Sequence, residues 1–326
     1  MPGPNVIELA AALHKAIANH DKIALGRLIK AYGGIWARLQ DKADLLALEI
    51  AAMDGPVTPA AVGRMLRYKE LLAQTEKELT RFSGFMQTEL ITGTQGSIAL
   101  GTQHAAALAR AAGITGGFNR LPTAAIETLL GFLQDGSPLF ARIEALAPFT
   151  AKRVADALIE GIGLGMSPRT TASLIRRELG MGLTDALRMT RTAQLYSYRE
   201  ASRANYIANS DVVTGWIWWA DLGGDPCMAC IAEHGGEHGL DETLDDHHNG
   251  RCAMLPKLAG EPVGGEGGEA WFSGLDEAKQ RELMGDGRWD AWKGGKFDFA
   301  DLSAVHDDDV YGQMRTEATL EALLGG

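Results

Sequence analysis

The sequence predicts a mainly α protein: a long helical hairpin and a helical bundle, then a small β-containing Cys/His module of zinc-knuckle type, then an irregular C-terminal tail. Three observations point there. Apolar residues recur at helical spacing through most of the chain before Asn209. The only cysteines, Cys227, Cys230 and Cys252, fall within one short stretch. Beyond it the chain turns glycine-rich and acidic, with no sustained period.

The elements follow in order. Residues 1–120 predict a helical hairpin or stalk: Leu9, Leu13, Ile17, Leu25, Leu28 and Ile29 lie on a helical stripe within Val6–Ala52, with an interruption expected at Gly33-Gly34. Asp54-Gly55-Pro56 reads as a turn, and Thr58-Pro59 as N-cap and first position of a helix running past Leu90. Gly93, Gly96 and Gly101 then mark either close packing or a break, because glycine costs about 1 kcal/mol against alanine inside a helix. Residues 121–212 predict a helical core, with start signals at Leu121-Pro122-Thr123, Ser137-Pro138 and Ser167-Pro168. Gly161, Gly163 and Gly165 read as a turn before the last of these, and a helix is expected over Thr184–Asn209. Residues 213–260 form the Cys/His module, opened by an aromatic strand at Trp216-Ile217-Trp218-Trp219. Residues 261–326 are a glycine-rich linker, Gly264 to Gly268, and an acidic tail. The tail is expected to hold one helix-like segment (Leu275–Met284), irregular pieces around Trp289 and Phe299, and a helix near Thr316–Leu324. Its aromatics suggest that it docks rather than floats.

With 326 residues there is room for about two domains, and 46% hydrophobic with 22% charged residues is ordinary for a globular protein. No run of about 18 apolar residues is present, so no membrane span is expected. Met1-Pro2-Gly3-Pro4-Asn5 lacks the basic region and apolar run of a signal peptide, which with few cysteines points to a reducing compartment. The net charge of −11 is uneven. Residues 151–215 carry nine Lys/Arg against six Asp/Glu, whereas residues 216–326 carry eight against twenty-three. Phosphate binding needs cations, so the acidic C-terminal third argues against wrapping DNA there, and any such contact is expected from the helical middle. There Arg188, Arg191, Arg199 and Arg203 share a sector of about 120° on a helical wheel, a candidate DNA- or partner-binding surface. The plainer interpretation is a partly solvated helix with ion pairs such as Glu200 to Arg203.

The Cys/His stretch carries the chemistry. Cys227-Met228-Ala229-Cys230 can chelate from one turn, and Asp246-His247-His248-Asn249-Gly250-Arg251-Cys252 brings imidazole and a third thiolate. Four soft or borderline donors in a tetrahedron make a structural zinc site, with Cys227, Cys230, His247 and Cys252 as the candidate ligands and His248 as the alternative imidazole. Free thiols or a redox pair are the competing interpretations, though no βαβ pattern surrounds the C-x-x-C. His234 and His238 sit among glycines and read as solvated loop residues. Asp246-His247-His248-Asn249 superficially resembles an HNH nuclease core, but no Asn follows Asn249 and the only later histidine is His306. No catalytic residues are assigned.

At these residues the chain resembles the phage Mu F-like head morphogenesis family, the minor head proteins of tailed phages. Trp219, Asp225, Cys227, Cys230 and Gly235 match the first part of the family motif, and His247 to Cys252 match its closing knuckle. His248 stands where proline is usual, and Gly250 replaces a cysteine. Upstream, Gly161 to Pro168 and Arg191-Thr192 are similar to the family's approach, with Ala193 where an acidic residue is usual. Downstream, Trp271-Phe272, Gln280, Gly285, Arg288, Gly295 and Phe299 to Leu302 look like the family's tail. The resemblance covers residues 150–326. It implies a non-enzymatic virion component, in few copies near the portal vertex or capsid interior and in the host cytoplasm during assembly. Its implied roles are procapsid assembly, DNA packaging and delivery. The implied partners are the portal protein, with major capsid protein, scaffold and double-stranded DNA beside it, and no membrane. An HNH-like nuclease or a zinc-ribbon adaptor are the alternatives.

Overall fold

The computed structural model describes residues 4–53, 58–114, 126, 131, 133–163, 166, 168–223, 226–258 and 266–325. The protein is mainly α, with long helices, two small sheets and a Cys/His cluster toward the C-terminus. Its long helices are α1 (Pro4–Ala51), α3 (Leu66–Ala111), α4 (Pro138–Gly163) and α5 (Pro168–Ile207), with the short α2 (Pro59–Arg64) before α3. Among the described residues no helix is long and apolar enough to cross a membrane.

The chain divides into two compact units, each assembled from separated segments. The first comprises Asp21–Gly93 and Phe132–Arg191 and is helical. Its core follows the apolar stripe of α1 (Leu25, Leu28, Tyr32, Ile35, Leu39, Leu46) against that of α3 (Leu71, Leu79, Phe82, Met86, Leu90). Three ion pairs define an antiparallel hairpin: Arg27–Glu89, Arg38–Glu78 and Arg67–Glu49, so each step of 11 residues up α1 meets a step of 11 residues down α3. Eleven residues are close to three helical turns, which returns the same faces to each other.

The second unit comprises Met1–His20, Thr94–Gly131 and Thr192–Gly326. Its centre is an antiparallel sheet ordered β2-β1-β3, with β1 over Val213–Trp219, β2 over Glu237–His238 and β3 over Ala253–Leu258. Strand alternation gives β1 two buried faces. Trp216 and Trp218 pack with Tyr206, Val213 and Met254, while Ile217 packs with Val6, Ala10, Leu108 and Leu255. After the short α6 (Met228–Glu233) and β3 come α7 (Gly268–Ser273), α8 (Glu277–Met284) and α9 (Asp286–Lys293). A 3-10 turn (Phe299–Leu302), the hairpin of β4 (Ser303–Asp308) and β5 (Gly312–Glu317), and α10 (Leu320–Leu323) complete the chain.

Several boundaries differ from expectation. α1 passes through Gly33-Gly34 unbroken, because burial of its stripe outweighs the glycine cost. The helix from Pro59 is interrupted at Met65, whose ψ of 136° is extended. Gly93, Gly96 and Gly101 lie inside α3 and mark packing rather than a break: a methyl at Gly101 would collide with the Tyr198 carbonyl, and one at Gly96 with the His20 ring. Ser137-Pro138 does start a helix, with Ser137 Oγ accepting from Phe140 N at 3.2 Å. Gly161 and Gly163 belong to the last turn of α4, and α5 begins at Pro168, well before Thr184. Asp54 to Pro56, Leu121-Pro122-Thr123, Gly165, Asp225, Gly264 and Gly265 lie outside the described residues.

The C-terminal stretch has more regular structure than its sequence predicts. Phe272, Trp292 and Phe299 form an aromatic cluster with ring centroids 5.3–5.6 Å apart. Buried Gln280 donates from Nε2 to the Phe272 and Leu275 carbonyls and accepts from Trp289 Nε1. Thr316 and Glu317 are in a strand, and the last helix starts only at Leu320. This stretch docks on α6: Met228 N donates to Glu317 Oε1 at 2.7 Å, and Arg315 pairs with Glu233 and Asp245.

Candidate metal centre

The first knuckle is set by a helix start. Cys227 is the N-cap of α6, and its Sγ accepts from Cys230 N at 3.4 Å, so both thiols face one side of a single turn. The second knuckle is an irregular loop that must reverse tightly. Gly250 N donates to His247 O at 2.9 Å, and Asn249 takes a left-handed φ of 62°. Asparagine tolerates that conformation better than most residues. Gly250 is required for another reason: a Cβ there would overlap the Asp246 carboxylate.

The loop places His247 Nε2 at 3.2 Å from Cys227 Sγ and 3.3 Å from Cys230 Sγ. His247 Nδ1 lies 2.8 Å from the His248 carbonyl, which can only accept, so Nδ1 carries a proton and Nε2 is the nitrogen that faces the thiols, free to ligate once the ring is neutral. A backbone partner on the remote nitrogen is the usual way a ligating imidazole is oriented. His248 instead reaches Asp308, at 3.3 Å, and lies against Tyr311.

Two donor sets result. Cys227, Cys230 and His247 lie within 4.8 Å of one another, as do Cys230, Asp246 and Cys252, and the sets share Cys230. Of the four sequence-predicted ligands, Cys227, Cys230 and His247 come together, while Cys252 joins Cys230 through Asp246, which the sequence alone does not mark. The carboxylate is already engaged: Oδ1 accepts from His247 N at 2.9 Å and Oδ2 from Cys252 N at 3.1 Å. Oδ2 also receives Arg199 Nη2 at 2.7 Å. These donors are close enough to bind a metal ion, and thiols with imidazole suit a borderline-soft one.

The protonation pattern follows from this crowding. Cys227 is drawn down to about 5, first by the hydrogen bond from Cys230 and, against the effect of burial, by His247. Cys230 is held far above the usual thiol range by that same bond to Cys227. Burial acts to lower His247, but the Cys227 hydrogen bond and the Asp246 and Cys227 charges outweigh it and raise the ring to about 9. Cys252 is raised by burial. These shifts favour a charged Cys227–His247 pair and oppose ionisation of Cys230 and Cys252.

The basic helix is not the surface its wheel suggests. Arg199 is 5% exposed and donates to Asp246, to Gly250 O at 2.6 Å and to Cys252 O at 2.9 Å, so it is a strut of the knuckle and cannot meet phosphate. Arg203 is half-buried and tied to Glu200 and the Leu240 carbonyl. Arg188 is exposed beside Asp185, and Arg191 is half-buried. His234 is buried rather than solvated: Nδ1 accepts from Ala220 N at 3.0 Å, and burial lowers the ring to about 4. His238 stacks on Trp216 at 4.1 Å and contacts Glu242, so neither histidine is a loose loop residue.

These features define a mainly α protein carrying a Cys/His cluster of metal-binding geometry. Comparison of the chain with protein-family models, curated proteins and solved structures finds no match.

Proposed function

We propose that the chain is a non-enzymatic minor head protein of a tailed phage, of the Mu F-like head morphogenesis kind. It acts in few copies near the portal vertex, in procapsid assembly and in DNA packaging or delivery, with the portal protein as its principal partner. The observation that carries this reading is the mutual packing of segments that share the family's motifs. Thr192, of the Arg191-Thr192 pair, accepts from Asn249 N in the closing knuckle at 3.2 Å. Arg288, of the tail motif, pairs with Glu317, which in turn caps α6 beside Cys227.

The ion we assign to the cluster is zinc in a structural role. Cys227, Cys230 and His247 Nε2 would hold it, with Cys252 closing the tetrahedron and Asp246 left to orient His247 and Arg199. When bound, zinc supplies a cross-link between the α6 turn and the His247–Cys252 loop, and four protein ligands leave it no substrate position.

Co-purification of the tagged chain with the portal protein encoded beside it tests the reading. Retention of portal protein by the wild type and loss in Cys252→Ser, with the wild-type chain present in purified particles, is the expected outcome. Wild-type chain that retains no portal protein and is missing from particles would overturn the head-protein role.

A further inference from the structure

A half-open cleft of about 490 Å³ lies in the unit that holds the knuckle, and no role in metal binding accounts for it. Six lining residues carry chemistry: His14 and Lys15 of α1, Trp219 of β1, Asp221, His234 and Arg251. Lys15 and Arg251 are exposed, and neither forms an ion pair among the described residues. His14 Nε2 is buried in the wall with no hydrogen-bond partner. Because His234 Nδ1 accepts from the Ala220 amide, its neutral ring carries the proton on Nε2, as a donor. Burial keeps both imidazoles below their ordinary range, so near neutral pH they are uncharged and the cations are Lys15 and Arg251.

We propose that this cleft binds a nucleotide, with its phosphate between Lys15 and Arg251, its base against Trp219 and an amino or hydroxyl group on Asp221. The volume suits such a ligand, since small-molecule sites span roughly 300–1,000 Å³. Guanidinium and ammonium groups are the usual phosphate partners, and an aromatic wall accepts any base because every base has a π-face. Asp221 selects among anions: it repels a ligand that is negative throughout and accepts from one that also carries donors. A nucleotide has both features, and inorganic phosphate has only the first. The same chemistry is offered by a free mononucleotide or by one residue of a DNA strand. The inference does not depend on the head-protein reading.

Calorimetric titration of the full chain with dAMP, inorganic phosphate, a short oligodeoxythymidylate and a short duplex tests it. The expected result is binding of dAMP about tenfold or more tighter than inorganic phosphate. Lys15→Ala and Arg251→Ala should each weaken dAMP about tenfold, with melting unchanged for Lys15→Ala. Lys15 lies far along the chain from the cysteines, so that variant decides the matter if Arg251→Ala disturbs its neighbour Cys252. Tighter binding of the single strand than of dAMP assigns the site to a DNA strand, and the reverse assigns it to a free nucleotide. Absence of binding by dAMP and both DNA probes would overturn the proposal. Binding that Lys15→Ala leaves unchanged would do the same, as would inorganic phosphate binding as well as dAMP.

Discussion

Arg199 Nη2 lies 2.7 Å from Asp246 Oδ2, and both side chains are almost wholly buried. The guanidinium also takes the carbonyls of Gly250 and Cys252, so one residue of α5 fixes the loop that carries His247. Removing one partner of a buried pair leaves the other charged and desolvated, at a cost of about 3–5 kcal/mol. Arg199→Ala should lose stability of that order in denaturant melts. Arg199→Lys should recover little of it, since an ammonium cannot reproduce the planar fork that meets three acceptors. A loss below about 1 kcal/mol for Arg199→Ala would contradict the strut role.

Metal content gives the second prediction. The purified chain should hold about one zinc per molecule by elemental analysis, following the donor sets around Cys230. Cys230→Ser touches both sets and should abolish binding, whereas His248→Ala should retain it, because His248 points to Asp308. Chelation should lower the melting temperature of the wild type and leave that of Cys230→Ser unmoved. Full zinc occupancy in Cys230→Ser would remove the cluster from consideration.

Affinity for the ion should also depend steeply on pH. Binding needs thiolates and a neutral imidazole, whereas Cys230 and Cys252 are shifted upward and His247 is raised to about 9. Near neutral pH the ion must therefore displace protons from these groups, so affinity climbs with pH, most steeply below about 9, where His247 also has a proton to lose. Cys227, held down to about 5, is already a thiolate through that range and adds no proton until the pH approaches its own value. Competition with a chromophoric chelator at a series of pH values measures the slope. A flat profile below 9 would be incompatible with this donor set.

Much of this architecture was legible because burial writes itself as a period. Ile17, Leu25 and Leu28 mark α1 as the sequence stripe predicts, although Ile29 of the same stripe is exposed, and the clustering of Cys227, Cys230 and Cys252 with His247 marks the knuckle. What a helix face packs against is not periodic information. Arg199 shares a wheel sector with Arg188, yet one is buried on a carboxylate and the other is exposed, and only tertiary contact separates them. Asp246 was hidden by its neighbour, since an acidic residue before a histidine has no distinctive spacing. The β4–β5 hairpin was missed because most of its residues are exposed or half-exposed, and Met314 alone is buried, so no alternation of apolar residues announces it.

Two glycines in long helices separate packing from propensity. Gly33 is exposed on α1 with nothing within 4 Å of where a Cβ would stand, so Gly33→Ala should gain the helix propensity of alanine, about 0.5–1 kcal/mol. Gly101 lies on α3 against Tyr198, Ala201 and Ser202 of α5. A Cβ there would strike the Tyr198 carbonyl oxygen and stand 3.1 Å from Ala201 Cβ and 3.3 Å from Ser202 Oγ. The nearest of these atoms, the Tyr198 carbonyl oxygen, belongs to the backbone, so the clash cannot be relieved by rotating a side chain. Overpacking of this kind costs about 1–3 kcal/mol, at least as much as the propensity gained. Gly101→Ala should therefore destabilise while Gly33→Ala stabilises, measured side by side in urea. Equal shifts of the same sign would mean that Gly101 is tolerated for helix geometry alone and that the close approach to Tyr198 does not constrain the fold.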